Sequence, residues 1–335
     1  MSWNIAIVGA TGAVGRELLK LLASRSFPVG SLRLFASSRS AGKTIKFKGE
    51  SLPVEDVATG DYAGIDLAIF SAGAERSKTY APEFVAAGAV VVDNSSAFRQ
   101  DEGVPLVIPE INPEAIGGGI IANPNCSTII AAMALWPLHR AFTLRRFRVA
   151  TYQAVSGAGQ AAIDELTGQN KILLENPDAE VSPQILPRRI AFNVIPQVDR
   201  FMANDYTKEE MKFVHETHKI FGTDSIAIAA TCVRVPVLRA HAEAIYAEFA
   251  LPTTPAAARK VLENAPGVKI MDNTDSQVYP MPIDASGRDE VLVGRLRKDI
   301  SCDNGLAFWV VGDQLRKGAA LNAIQIVEHI YTSAE

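Results

Sequence analysis

Two kinds of hydrophobic pattern alternate along the first third of the chain. Short β-branched runs, NIAIVG (Asn4–Gly9), SLRLFAS, DLAIFSAG and AVVVDNSS, each end in small or polar residues. Between them apolar residues recur at helical spacing, as in VGRELLKLLAS (Val14–Ser24). Strands alternating with helices predict an α/β fold with a Rossmann-type, doubly wound parallel sheet. From about Thr143 the pattern changes. Longer strand-like runs, FRVATYQAV and AIAATCVRVPVL, are separated by helices such as TKEEMKFVHETHKIF (Thr207–Phe221). This predicts a second α+β domain with a mixed or antiparallel sheet. The last segment, RKGAALNAIQIVEHIY (Arg316–Tyr331), reads as an amphipathic helix that returns to the first domain. The expected division is residues 1–125 plus 314–335 for the first domain and 126–313 for the second.

Composition narrows the function classes. A chain of 335 residues, 48% hydrophobic and 21% charged, can bury two cores and is not disordered. Its net charge of −4 argues against a general nucleic-acid binder. The one dense basic run, Arg145-Arg146-Phe147-Arg148, reads as a solvated strand edge. Apolar stretches such as Ile129–Leu138 are too short to span a bilayer, so no membrane partner is expected. Met1-Ser2-Trp3 leads directly into a strand pattern without a signal sequence, and the three cysteines form no CxxC pair. A reduced, cytoplasmic setting is the expectation.

The loop GATGAVG (Gly9–Gly15) lies between the first strand and the first helix. Glycines at 9, 12 and 15 permit a tight turn and close backbone approach, and the helix N-terminus offers free N–H groups to a phosphate. This is the position of a dinucleotide fingerprint. NAD sites usually carry an acid at the end of the second strand. Here the run is ASSRSAG (Ala36–Gly42), with Ser37, Ser38, Arg39 and Ser40 and no acid, which suits the 2′-phosphate of NADP.

Cys126 stands where the strand-like GIIAN hands over to the helical STIIAAMALWPL. At a helix N-terminus the dipole and unpaired N–H groups favour a thiolate and can stabilise an oxyanion. Cys232, inside ATCVRVPV, reads as a structural thiol, and Cys302 fits that reading too. A thiolate nucleophile needs a proton partner. His139 follows the helix opened by Cys126; His215 and His218 lie on a charged helix without further metal ligands; His329 is near the C-terminus. His241 follows the strand TCVRVPVLRA, which also carries Arg234, so one strand could offer a base and a carboxylate-binding cation to one pocket. Spacing alone leaves His241 open between that role and an ordinary buried histidine.

The motifs GATGAVG, ASSRSAG, DNSSAFR, IPEIN, ANPNCST, TYQAVSGAG, AFNVIPQVD, ETHKIFG, TCVRVPV, VGRLRKD and LRKGAALNA occur in order along the whole chain. In this it resembles the aspartate-β-semialdehyde dehydrogenases of bacterial type. The resemblance implies reduction of L-aspartyl-4-phosphate to aspartate 4-semialdehyde with NADPH, a step toward lysine/diaminopimelate, methionine and threonine, by a homodimer. It implies Cys126 as the acyl-forming nucleophile, His241 as acid/base and Gln153 as the group orienting the acyl carbon. It assigns substrate and phosphate binding to Arg99, Asn125, Glu209, Lys212 and Arg234. It assigns the cofactor to Gly9, Thr11, Gly12, Ala13, Val14, Gly15, Ser37, Arg39, Ser40, Ser71, Ser156, Gly157 and Gln314. No metal is implied.

The chain departs from the family pattern at three places. Gln314 stands where asparagine is common, Ala74 where glycine is frequent, and Ala242 where serine is frequent. Two alternatives stay open at this point. One is an N-acetyl-γ-glutamyl-phosphate reductase, whose cysteine context is usually of a Pro-Gly-Cys-Tyr type. The other is a non-catalytic paralogue, which would lack the cysteine context or the histidine.

Overall fold

The computed structural model describes residues 2–334. The chain divides into two compact units, 1–125 with 318–335 and 126–317. The first is a mostly parallel α/β unit, the second an α+β unit on a mixed sheet.

The first unit begins β1 (Trp3–Val8), α1 (Ala13–Ser24), β2 (Val29–Ala36), β3 (Thr44–Phe47), β4 (Glu50–Asp56), β5 (Leu67–Phe70), α2 (Ala74–Ala86), β6 (Val90–Asp93) and β7 (Ile120–Ala122). Its seven strands run in the order β3-β4-β2-β1-β5-β6-β7, all parallel except the β3–β4 pair. The central strands are apolar at nearly every position because both faces are covered. Ile5 and Ile7 of β1 join the core beneath α1, while Ala6 and Val8 join the core beneath Phe84 of α2. The β1–α1 turn and the end of β2 therefore lie side by side at the carboxyl edge of the sheet, where doubly wound folds bind ligands.

The second unit contains α3 (Cys126–Phe142), β8 (Leu144–Gln153), α4 (Gln160–Glu175), α5 (Lys208–Phe221), β9 (Ala227–Arg234), β10 (His241–Phe249), α6 (Pro255–Glu263), β11 (Val268–Ile270), α7 (Pro282–Ala285), β12 (Val291–Lys298) and β13 (Gly305–Gly312). Its six strands are ordered β11-β12-β13-β10-β8-β9. β8 pairs parallel with β9 and antiparallel with β10. The helix α3 packs on one face of this sheet, and the opposite face carries Tyr152, Tyr246 and Trp309.

Four expectations are corrected here. The basic run 145–148 is on an interior strand, not an edge; it is solvated because Arg145, Arg146 and Arg148 point out of the sheet while Phe147 is buried. His139 does not follow α3 but sits in its last turn. The crossing back to the first unit falls at Gly318 rather than at 314, since Asp313 and Gln314 are bonded to Arg239 and Ala240 of the second unit. The last segment begins with a π turn (Arg316–Ala320), and α8 (Leu321–Ala334) is buried on more than one side. Leu321, Ile324, Ile326 and Val327 pack in the α1 core, and the buried Asn322 is accommodated by donating to Val107 O at 2.9 Å and Asn123 Oδ1 at 2.7 Å. Burial of each such aliphatic side chain stabilises by about 1.5–3 kcal/mol.

Candidate active site

The two units carry candidate sites built by different physics. In the first unit the GATGAVG loop forms a cleft of about 430 Å³. Gly9, at φ +95°, and Gly15 both stand where a Cβ would run into backbone, of Ser71 and of Gly9 and Ala10 respectively. Gly12 N–H closes the turn onto Gly9 O at 3.0 Å. α1 has no side-chain cap and no acid in its first turn, so the N–H groups at Ala13, Val14 and Gly15 remain available to an anion. Thr11, Ser37, Arg39, Ser40 and Ser71 also line this cleft. Lys43 and Arg76 line it as well; neither was singled out in the sequence, although Lys43 lies just past the ASSRSAG run. No lining residue is acidic. Close-approach glycines, an open helix terminus and a rim of three cations fit a dinucleotide.

Arg99 and Asn125 also belong to the first unit, and both are buried. The Arg99 guanidinium is fixed by donating from Nε to Asn123 O at 2.9 Å and from Nη2 to Asn94 O at 2.8 Å.

In the second unit Cys126 is the first residue of α3 and is only half-buried. Its neighbour Ser127 is fully buried and accepts a hydrogen bond from Gln153 Nε2 at 2.8 Å. The same nitrogen donates to Glu209 Oε1 at 3.0 Å, and Glu209 Oε2 accepts from Lys212 Nζ at 2.7 Å. Thus the last residue of β8, the first turn of α3 and the first turn of α5 are joined by side chains. Glu209 and Lys212 are a partly buried pair facing the site rather than a solvated surface pair. Their geometry follows from a capping box: Thr207 Oγ1 accepts the Glu210 N–H, and Glu210 returns a bond to the Thr207 N–H. Asp199 holds Lys212 from the other side at 3.2 Å.

Arg234 ends β9 opposite Gln153 in the parallel register. It is buried and donates from Nη1 to Ala154 O at 2.8 Å. His241 opens β10, so Arg234 and His241 are not on one strand as the sequence suggested; β8 lies between theirs. The convergence is the same because the carboxyl ends of β8 and β9 and the amino end of β10 meet at one edge of the sheet.

The imidazole is fully buried, with Nδ1 accepting the Ala154 N–H at 3.0 Å. That bond leaves the ring proton on Nε2, which has no partner. Nε2 lies beneath the turn Val155–Ala158, so close that a Cβ on Gly157 would be 3.1 Å away. Burial, and then the nearby Arg234 charge, hold this histidine neutral, with its pKa lowered to about 3. The charges of Glu209 and Cys126 in turn act on Arg234. Five predicted residues, Cys126, Gln153, Glu209, Arg234 and His241, therefore share one electrostatic neighbourhood. Ser156 and Gln314 are bonded to each other beside it.

One row further along the same sheet face lie Glu243, Thr151 and Cys232, in mutual register. Burial pushes the Cys232 thiol up, as suits an inert core cysteine. Glu243 is fully buried, neither carboxylate oxygen has a partner, and burial raises its carboxyl well above the usual range. It escaped attention in the sequence, though its place two residues after His241 on a strand puts it on the same face. Among the described residues no cluster of three His, Cys, Asp or Glu could hold a metal ion. His218 Nε2 instead contacts Ile226 O at 2.8 Å.

A dinucleotide cleft in the first unit and, in the second, a thiol at a helix start, a neutral buried imidazole and a buried guanidinium fit a nicotinamide-dependent oxidoreductase. Family models agree: residues 4–118 match the semialdehyde dehydrogenase NAD-binding domain, and residues 135–317 match the semialdehyde dehydrogenase dimerisation domain. The chain is 55% identical to an aspartate-semialdehyde dehydrogenase of a Synechocystis species, over 97% of this chain and 96% of that one. It is 51% identical to the enzyme of that name from Aquifex aeolicus, over 98% of each. A crystal structure of aspartate semialdehyde dehydrogenase II from Vibrio cholerae complexed with ASA superposes with a TM-score of 0.96 at 48% identity, covering 99% of both chains. The chain belongs to the aspartate-semialdehyde dehydrogenase family of oxidoreductases.

Proposed function

We propose that the protein converts L-aspartyl-4-phosphate to L-aspartate 4-semialdehyde, reversibly, with NADPH as reductant and Cys126 as the acyl carrier. The observation that carries this reading is the joining of Cys126, Gln153, Glu209, Arg234 and His241 around one buried edge of the second unit's sheet. The cation-rimmed, acid-free cleft supports NADP over NAD, with Arg39, Lys43 and the serines at 37 and 40 as its 2′-phosphate partners.

In the biosynthetic direction the Cys126 sulfur bonds to the acyl carbon and phosphate departs, leaving a thioester. The bound nicotinamide supplies the hydride for that carbonyl. Collapse of the resulting tetrahedral adduct breaks the C–S bond and frees the aldehyde. His241, neutral with its proton on Nε2, donates a hydrogen bond to the oxyanion that develops on the acyl oxygen when the thiolate adds and again when hydride is delivered; the proton that the departing phosphate takes up comes from solvent. Arg234 pairs with the substrate α-carboxylate as a forked donor. Arg99 and Lys212 take the phosphate. Gln153, held between Ser127 and Glu209, fixes the acyl group for attack, so orientation is prepaid by hydrogen bonds already present.

A homodimer through the second unit is part of this proposal. It is supported by the dimerisation-domain match and by the aromatic face of Tyr152, Tyr246 and Trp309. Sedimentation velocity at micromolar protein should give a single dimeric species. A cytoplasmic location accords with free cysteines and, among the described residues, with no helix long and apolar enough to cross a membrane.

The test is the initial rate of NADPH formation from aspartate semialdehyde, with and without phosphate, NAD run in parallel. Phosphate-dependent turnover with NADP is expected. No turnover by folded protein that binds NADP would overturn the assignment.

A further inference from the structure

Two hydrogen bonds from a single side chain flank His241. Gln314, buried just beyond the end of β13, accepts the Ala240 N–H on Oε1 at 2.8 Å. Its Nε2 donates to the Ser156 hydroxyl. Ala240 immediately precedes His241 and is fully buried, yet its φ is +71°. Alanine holds that left-handed conformation only where its surroundings impose it. Ser156 precedes Gly157, the residue that roofs the imidazole. One carboxamide thus grips both the residue that launches the imidazole and the turn above it. Asp313 reinforces the first grip: its Oδ2 accepts from Arg239 Nε at 2.7 Å and from the Gly287 N–H at 2.6 Å.

We propose that Gln314 is a positioning residue for His241, fixing the direction of Nε2 by clamping Ala240 and the Val155–Ala158 turn. The proposal rests on the reading of His241 as the Nε2–H donor to the reacting oxyanion. It accounts for glutamine at this position: asparagine is one methylene shorter and cannot reach both partners without moving one. It also separates this role from a contact with the cofactor, because the two predict losses in different kinetic constants.

The test compares Q314M, which keeps length and volume but removes both bonds, with Q314E, which keeps an acceptor for the Ala240 N–H and for the Ser156 hydroxyl. Q314M should lower kcat about 10-fold or more while KM and the directly titrated Kd for NADP stay within about threefold. Q314E should recover most of the lost kcat. A second readout needs no turnover: in protein labelled with 15N-histidine, the His241 ring of the wild type should report a neutral Nε2–H tautomer. In Q314M its signals should shift or broaden while those of His139, His215, His218 and His329 hold. If Q314M does not fold, Ser156→Ala, which cuts only the arm to the turn, is read in the same way. Unchanged His241 signals in a folded variant would overturn the proposal, as would a raised KM for NADP at constant kcat. An inactive wild type whose His241 signals still depend on Gln314 would retain the clamp and remove the functional reading.

Discussion

The cofactor cleft of the first unit and the catalytic row of the second handle charge in opposite ways. The cleft presents exposed cations, Arg39 and Arg76, and backbone N–H groups at a helix start. The row buries Arg234, Glu209, His241 and Gln153 almost completely and satisfies nearly all of them with hydrogen bonds to one another or to backbone. Water screens the first region, so its contacts give affinity and selectivity for an anion. The second excludes water, so small displacements change proton affinity and hydrogen-bond strength steeply. A dinucleotide can be held by a surface; moving a proton and an acyl group needs a site whose polar groups are oriented before substrate arrives.

The sharpest way to separate the two regions is to remove the nucleophile. Cys126→Ala should lower turnover by roughly 10⁴-fold or more, while the Kd for NADP, titrated by fluorescence, stays unchanged. Equal loss of both would mean that the regions are not independent.

His241→Asn should cost roughly 10²–10⁴-fold in kcat. It also carries a stability signature. The folded state keeps His241 neutral down to about pH 3, whereas the unfolded chain protonates near the ordinary histidine value of 6.5. Between these values the unfolded state binds more protons, so stability falls as pH drops from about 6.5 toward 3. Thermal melts of His241→Asn from pH 7 to pH 4 should lose that part of the slope.

Arg39→Ala addresses the other region. It should raise KM for NADP by about 10–100-fold, leaving kcat and the KM for NAD nearly unchanged. A variant that loses kcat instead would place Arg39 outside the 2′-phosphate site.

The smallest effect concerns Glu243, where the buried row leaves a carboxyl unbonded. Its folded-state pKa is raised, so the folded protein binds the extra proton and stability is lost as pH rises above 4.5 toward the folded value. Glu243→Met should therefore stabilise by about 1–3 kcal/mol at pH 8, with less gain at pH 5, measured by urea unfolding.

The cleft was the more legible region in the sequence because its determinants are contiguous. Gly9 to Gly15 and Ser37 to Ser40 are two short runs, each at a strand end, and strand periodicity sets where strands end. The catalytic row was legible only in part. Cys126 announced itself by a helix boundary, but spacing left His241 undecided, and the resemblance to a family supplied its role. What spacing lacked was strand order: β8 lies between β9 and β10, so Arg234 and His241 meet across a strand rather than along one. Asp199 and Glu243 escaped because nothing local marks Asp199 as the second anchor of Lys212, and Glu243 is buried without a hydrogen-bond partner only by the strands assembled around it. The burial of α8 on more than one side was hidden for a related reason: Val107 and Asn123, which accept from Asn322, are distant in sequence.

The most direct test of the central claim, that Cys126 carries the acyl group in a row prepared for it, is a rapid-mixing measurement of NADPH from aspartate semialdehyde and NADP without phosphate. The account predicts a burst of up to one equivalent per subunit in the wild type, followed by near arrest until phosphate is added, and no burst in Cys126→Ala. Continuous turnover without phosphate, or a burst that survives in Cys126→Ala, would contradict it.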